Sequence, residues 1–379
     1  MANPLAGILK MFLGSNQSVL GIDIGGSSIK VVQIRKKGGR AILETYGELA
    51  LGPYNGLEVG RATSLPAEKL AEALKDVMRE AHVTTTQCGI AIPLQSSLVS
   101  IVPMPALPES QLSSMIPLEA RKYIPVPISE VTLDWSIIPT EEEGEESNQN
   151  IQTSSGKSQP KPKTVDVLVV AIHNESISKY QTMAEQAGLQ VSFFEIEIFS
   201  TIRSVMDHEN LPVMIIDMGS AATKIYVIEK GVIRVSHTVN RGSQDITLAF
   251  SRAFNLTVKE AEMMKRENGA QQSQGNNAQS AESIANGSLE YVFSEANRVV
   301  ANYQHKYNKN ISKTIVTGGG VNLKGFAERA KERVQMTIEV ANPFAKVDAP
   351  AFLEDVLKQA GSEFTVAIGV ALRRLQELE

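Results

Sequence analysis

The chain has 379 residues, enough for two or three domains with cores of their own, and a formal net charge of −5, which argues against a nucleic-acid-binding surface. Its single cysteine excludes an internal disulfide framework and a cysteine-based metal site, and suits a reducing compartment. No apolar run approaches the roughly 20 residues needed to span a bilayer, and the N-terminus lacks the basic start and small-residue cleavage site of a signal peptide.

At the N-terminus Leu5, Ile8, Leu9 and Phe12 recur at helical spacing. They make a short apolar face, suited either to a membrane surface or partner or to packing on the first domain. Residues 19–30, VLGIDIGGSSIK, come next. A Val- and Ile-rich run bounded by glycine reads as a buried strand ending in Asp23; a turn of Gly25, Gly26, Ser27 and Ser28 follows, and Lys30 opens the returning strand. The same plan recurs over residues 213–224, VMIIDMGSAATK, with Asp217, Gly219, Ser220, Ala221, Thr223 and Lys224. Each half of the chain therefore opens on a β-hairpin of one kind. Glycines in such turns leave room for a close-approaching ligand, and successive backbone N–H groups form a nest for phosphate oxygens, assisted by the hydroxyls of Ser27, Ser28, Ser220 and Thr223. An aspartate beside phosphates works through a cation, so Asp23 and Asp217 are candidate Mg²⁺ ligands, through water.

Between the hairpins, residues 19–51 hold three strand candidates, and a helix over 64–82 shows Leu70, Ala73, Leu74, Val77, Met78 and Ala81 on one face. Cys88 lies in the strand-like run QCGIAIP and reads as a small buried hydrophobe. Residues 87–139 are rich in proline around the helical run PESQLSSMIPLEARKYI, and read as a small α+β unit inserted into the first domain. Residues 140–163 form a polar tract, a solvated linker or a regulated segment. A central-strand run, VDVLVVAIH, leads to a helix capped by Asn174 and stopped at Gly188. Glu195 and Glu197 then alternate with apolar residues before the second hairpin.

Beyond that hairpin, Glu262 and Lys265 stand three apart on the helical run TVKEAEMMKREN and share a face. Residues 266–288 read as a second mobile polar loop, and a core helix follows over 288–308. In TIVTGGGVNLKGFAERA, residues 314–330, a β-branched strand is followed by Gly318, Gly319 and Gly320 and then a helix, whose N-terminus could approach a ligand. The last run, FTVAIGVALRRLQELE, is a helix in which Gly369 either allows close packing or is merely tolerated.

The order DxGxxxxK, DxGxxxT, TGGG resembles the phosphate-1, phosphate-2 and adenosine motifs of actin-like ATPases. No GxxxxGK[ST] loop is present, since Ile151 stands where the first glycine of the nearest lookalike should be. Residues 107–135, LPESQLSSMIPLEARKYIPVPISEVTLDW, resemble the PilM family of type IV pilus assembly proteins, itself similar to the cell-division protein FtsA. The resemblance implies an α/β, ribonuclease H-like fold of duplicated lobes around a nucleotide cleft. Its segments would be a first lobe (17–86 and 165–210), an inserted subdomain called 1C (87–164), a second lobe (211–240 and 311–363) with subdomain 2B (241–310), and a C-terminal helix returning to the first lobe (364–379).

ATP and Mg²⁺ are the implied cofactors, with Gly318, Gly319, Gly320 and Asn322 at the adenosine. Glu262 and Lys265 would hold ribose or adenine, their alternative being a surface ion pair. Glu197 falls at the crossing between lobes, where it could position a water or Mg²⁺, its alternatives being a lobe-to-lobe hydrogen bond or a solvated strand end. The implied readout is capture of the N-terminal cytoplasmic peptide of the membrane protein PilN in a groove between the first lobe and 1C, with Met104, Pro105, Gln111, Met115 and Tyr123 as candidate contacts. The protein would sit in the cytoplasm at the inner face of the inner membrane. PilO, assembly ATPases and a second copy are further possible partners. No general base for hydrolysis is visible, so ATP binding with weak or no turnover is expected. Alternatives are an FtsA-like, membrane-associated polymer-forming protein, and a sugar kinase of the ROK type, whose opening GIDIGGSSIK resembles but whose zinc-binding cysteine cluster one cysteine cannot supply.

Overall fold

The structure is a computed structural model and describes residues 18–138, 164–207, 209–270 and 276–377. The expected apolar face at residues 5–12 and the tract 140–163 lie outside these. The chain divides into two compact units, one formed by residues 1–93 and 179–379 and the other by residues 94–178.

The larger unit is built on two five-stranded sheets of one plan. The first contains β1 (Ser18–Ile24), β2 (Ser28–Lys37), β3 (Arg40–Ala50), β4 (Gln87–Ile92) and β8 (Gln190–Ile196) in the order β3-β2-β1-β4-β8. The second contains β9 (Val213–Met218), β10 (Thr223–Glu229), β11 (Val232–Val239), β12 (Lys313–Thr317) and β13 (Ile338–Val340) in the order β11-β10-β9-β12-β13. In each, three strands form an antiparallel meander and the last two run parallel to the first. Every residue of β9 is buried, because helices cover both faces of such a sheet. Helix α1 (Ala67–Glu80) packs its Leu70, Ala73, Leu74 and Val77 face inward, as its spacing requires.

The smaller unit has a three-stranded sheet, β5-β7-β6, from β5 (Ser97–Pro105), β6 (Val131–Ile138) and β7 (Thr164–His173), with α2 (Glu109–Ala120) in its core. Two boundaries therefore differ from the sequence reading. The run QCGIAI, assigned to the insert, stands in the first sheet between β1 and β8, and VDVLVVAIH, assigned to the first lobe, is the middle strand of the insert. Both runs are apolar enough for any buried strand, and pairing between distant segments decides which sheet takes them.

After α3 (Asn174–Gln186) and α4 (Glu197–Val205), the second sheet is covered by α5 (Ser243–Phe254), α6 (Val258–Asn268), α7 (Asn276–Tyr307) and α8 (Phe326–Val334). Met214, Ile216, Phe250, Leu289, Phe293 and Phe326 meet in one core. Helix α7 begins twelve residues before the expected start at Ser288, so most of the tract 266–288 is helical. Ala281 and Ala285 prolong the buried stripe of Leu289 at four-residue spacing, which favours helix over loop.

Beyond α9 (Glu354–Ala360), the last helix, α10 (Thr365–Glu377), returns to the first sheet and shares a core with Val19, Val32 and Ile34. It lies on bare backbone at two points. A Cβ on Gly21 of β1 would stand 2.0 Å from the Ala367 carbonyl oxygen, and one on Gly369 would stand 2.0 Å from that of Ser200 in α4. Gly369 thus has a packing role. Nearby, buried Glu195 accepts hydrogen bonds from Arg203 at both carboxylate oxygens (2.7 and 2.8 Å) and from Arg373 (3.0 Å), locking α4 and α10 to β8.

Candidate functional site

The spacing of the repeated motif becomes geometry in the two hairpins. Asp23 faces Lys30 across β1 and β2, and Asp217 faces Lys224 across β9 and β10. The turns close alike, with Gly25 N–H donating to Ser28 O (2.9 Å) and Gly219 N–H donating to Ala222 O (3.0 Å). They meet face to face, since a Cβ on Gly26 would come within 2.9 Å of Ser220 Oγ. The first N–H groups of α5 bond the back of the second turn, Ser243 N–H to Gly219 O and Gln244 N–H to Ser220 O.

The third turn joins them. Gly318 has φ of 89°, and a Cβ there would stand 2.5 Å from Asp217 Oδ1, so only glycine fits. Gly320 lies equally close to Met218. The expected helix does not follow directly, however. Residues Gly319–Asn322 form a 3-10 turn and α8 starts only at Phe326, so no α-helix N-terminus opens at the three glycines.

Charge is concentrated where the turns converge. Lys30 Nζ donates to Ser28 Oγ (2.6 Å) and pairs with Glu48 (3.0 Å), while Lys224 Nζ donates to Glu197 (2.7 Å) and lies 3.8 Å from Asp217. Asp23 keeps some contact with solvent, yet desolvation by the surrounding protein pushes its carboxyl up to about 6, against the pull of Lys30. Desolvation also raises Asp217, opposed first by Lys224. Burial works against the charge of Lys224, but Glu197 and Asp217 outweigh it and raise that ammonium's pKa.

A second layer ties this cluster to the third turn. Glu48 of β3 shares a hydrogen bond with Glu363, which also accepts from Asn322 Nδ2 (2.6 Å). Burial, then the neighbouring Glu48 carboxylate, pushes Glu363 up to about 7; Glu48 resists the same burial because Lys30 holds it down. Burial and the negative neighbour thus favour the protonated form of Glu363.

Several expected residues are placed in other roles. The Thr223 hydroxyl donates to Arg241 O (2.8 Å) and is fully buried, so it supports the turn from behind. Asn322 bonds at both ends of its amide, to Glu363 and to Ser362 Oγ (2.9 Å), and braces the third turn. Glu262 and Lys265 form a buried pair at 2.6 Å, with Thr247 bonded to both and Arg266 to Glu262, so they are not a surface ion pair. Gly60, in the loop after β3, packs on the Glu262 carboxylate, and Ala62 N–H in that loop donates to Gln244 Oε1 (2.7 Å). In the insert, Met104 is buried in the core and Met115 partly so, whereas Pro105, Gln111 and Tyr123 are exposed. Cys88 is buried, its thiol pushed up to about 12.

Among the described residues no three His, Cys, Asp or Glu side chains are grouped to hold a metal ion. Asp217 and Glu197 already share the Lys224 ammonium, so the donor set does not fit a directly coordinated divalent cation at the second hairpin.

Glu48, Glu363, Gln244 and Thr247 were not foreseen. Glu48 could be reached from strand pairing, but counting back from Lys37 opposite Arg40 puts Gly47 across from Lys30. A bulge at Gln33 and Ile34 shifts the register by one and brings Glu48 there instead.

The architecture is shared with solved structures. A chain of the PilM–PilN type IV pilus biogenesis complex superposes with TM-score 0.77 at 22% identity, covering 94% of this chain and 98% of that one. The ethanolamine utilization protein EutJ of Carboxydothermus hydrogenoformans gives 0.55 at 13% identity, over 94% and 90%. An MreB protein of Spiroplasma citri bound to ADP gives 0.52 at 11% identity, over 95% and 97%. The fold is that of the actin-like ATPases, as the repeated hairpins imply. Residues 21–375 match the family described as type IV pilus assembly protein PilM, and with that span of its length matched the chain belongs to the PilM family.

Proposed function

We propose that this pilus assembly protein is a nucleotide-responsive scaffold that binds ATP where its three glycine turns converge and engages the N-terminal cytoplasmic peptide of PilN. The observation that carries the nucleotide reading is the meeting of Gly26 with Ser220 and of Gly318 with Asp217, because three turns without side-chain bulk face one point rimmed by Lys30 and Lys224. Glu262 and Lys265, with Gly60 and Gln244 about them, would form the wall toward ribose and base. Turnover would be weak or absent, since the Glu197 carboxylate is engaged by Lys224.

The solved PilM–PilN complex supports the partner. The smaller unit offers Pro105, Gln111 and Tyr123 to an extended peptide, while Met104 stiffens β5 from beneath. No helix among the described residues is long and apolar enough to cross a membrane; association with the inner face of the inner membrane would run through the partner, as the solved PilM–PilN complex supports. Calorimetric titration of the PilN N-terminal peptide, with and without ATP, tests the proposal. ATP should bind and change the peptide affinity, and Gly318→Ala should abolish the effect of ATP while leaving peptide binding itself in place. Equal peptide affinity in both conditions would defeat the nucleotide-responsive reading.

A further inference from the structure

Lys224, at the rim of the nucleotide site, is also held by two carboxylates that the nucleotide reading does not account for. It stands across the ladder from Asp217, and its Nζ reaches over to Glu197, the first residue of α4, at 2.7 Å. All three side chains are largely shut off from water, at 15%, 9% and 7% exposure. Asp23 of the first hairpin is near enough to add to the field on the same ammonium. A divalent cation serving the second hairpin would be drawn to the carboxylates of Asp217 and Glu197. A covalently held positive charge, compact and with three donors, already lies between them and would repel such an ion.

From this geometry we infer that Lys224 is a built-in cation standing in for a divalent ion at the second hairpin, so that nucleotide held there depends little on Mg²⁺. The inference rests on the nucleotide reading for its consequence, but not for its premise. Glu197 is at the same time kept from orienting a water, because its charge is directed at Lys224. The first hairpin differs in the aim of its lysine, since Lys30 turns to Ser28 and Glu48 and leaves Asp23 with the lesser share of its charge. The two hairpins are thus alike in sequence and unlike in electrostatics.

The full chain is tested with three probes: MnCl2 alone, ATP in EDTA, and ATP with MgCl2. Wild-type protein should leave the Mn²⁺ resonance signal unchanged, and its ATP affinity should change by less than about tenfold between EDTA and Mg²⁺. Lys224→Met uncovers the carboxylates; it should gain Mn²⁺ binding, melt higher as MgCl2 is added, and bind ATP in a strongly Mg²⁺-dependent way. Lys224→Arg keeps the charge and should behave as wild type, which a purely structural ion pair would not require of the methionine variant's metal response. Should Lys224→Met fail to fold, the wild-type Mn²⁺ and EDTA arms still decide. Mn²⁺ binding by wild type without nucleotide, or an ATP affinity falling by more than about tenfold in EDTA, would overturn the inference. Absence of ATP binding in every condition would instead overturn the nucleotide reading, while the Mn²⁺ arm continues to judge the lysine.

Discussion

One chemical change, glycine to alanine, should move stability in opposite directions at two helical positions. At Gly287 in α7 an added methyl group meets nothing within 4 Å. The gain in helix propensity and the loss of unfolded-chain freedom then favour the fold by about 0.5–1 kcal/mol. At Gly369 in α10 the same group would stand 2.0 Å from the Ser200 carbonyl oxygen and 2.5 Å from its carbon, where ordinary contact begins at 3.4 Å. The helix would have to withdraw by more than an ångström. Its opposite side rests on Gly21, so the withdrawal disturbs β1 as well. Overpacking of this kind costs about 1–3 kcal/mol, and after the propensity gain a net loss of roughly 2 kcal/mol remains. At about 1–2 °C per kcal/mol in a chain of this size, Gly287→Ala should melt roughly 1 °C higher and Gly369→Ala roughly 2–4 °C lower in scanning calorimetry. A Gly369→Ala protein melting at or above the wild-type temperature would refute the close crossing of α10 over α4.

Three further outcomes can be measured. Glu363 is raised from an ordinary 4.5 to about 7 in the fold, so its contribution is full below pH 4.5 and is lost as pH rises through 7; Asp23 adds the same sense between 3.8 and 6. Urea midpoints should fall across that window, Glu363→Gln should flatten the fall, and an unchanged profile would contradict a raised Glu363 carboxyl. Glu195→Ala strands two arginines on α4 and α10 and should cost roughly 3–5 kcal/mol by chemical denaturation, with a loss under about 1 kcal/mol counting against the lock. In the insert, Met104→Ala should destabilise by about 2–5 kcal/mol through the cavity it leaves, whereas exposed Gln111→Ala should be neutral for stability and, on the proposed reading, weaken PilN peptide binding. Equal stability of the two variants would place Met104 at the surface after all.

The hairpins were legible because their information is local: an aspartate, a turn and a lysine within eight residues dictate which side chains pair across the ladder. Glu262 and Lys265 were legible for the same reason, being one helical turn apart, although their burial was not. What the sequence withheld was long-range. QCGIAI and VDVLVVAIH have equal claims on a buried strand, and only pairing with β8 or with β5 and β6 distinguishes them. Glu363 reaches Glu48 from more than three hundred residues away, and no motif announces it. The start of α7 was hidden by Asn, Ser and Gly, residues poor at forming helix, although Ala281, Ala285 and Leu289 carried the stripe that burial rewards.

The seat of α10 on two glycines has a mechanical consequence. A helix seated on bare backbone on either side has little room to slip along its axis or roll about it. It must travel with β1 and α4 as one body, and with the 3-10 turn Gly361–Phe364 just upstream, whose Phe364 packs in the same core. That short segment also supplies the Ser362 carbonyl that anchors Gly318 N–H and the carboxyl that braces Asn322. The third turn is thereby hung from the core of the first sheet, and any displacement of that core would re-aim it.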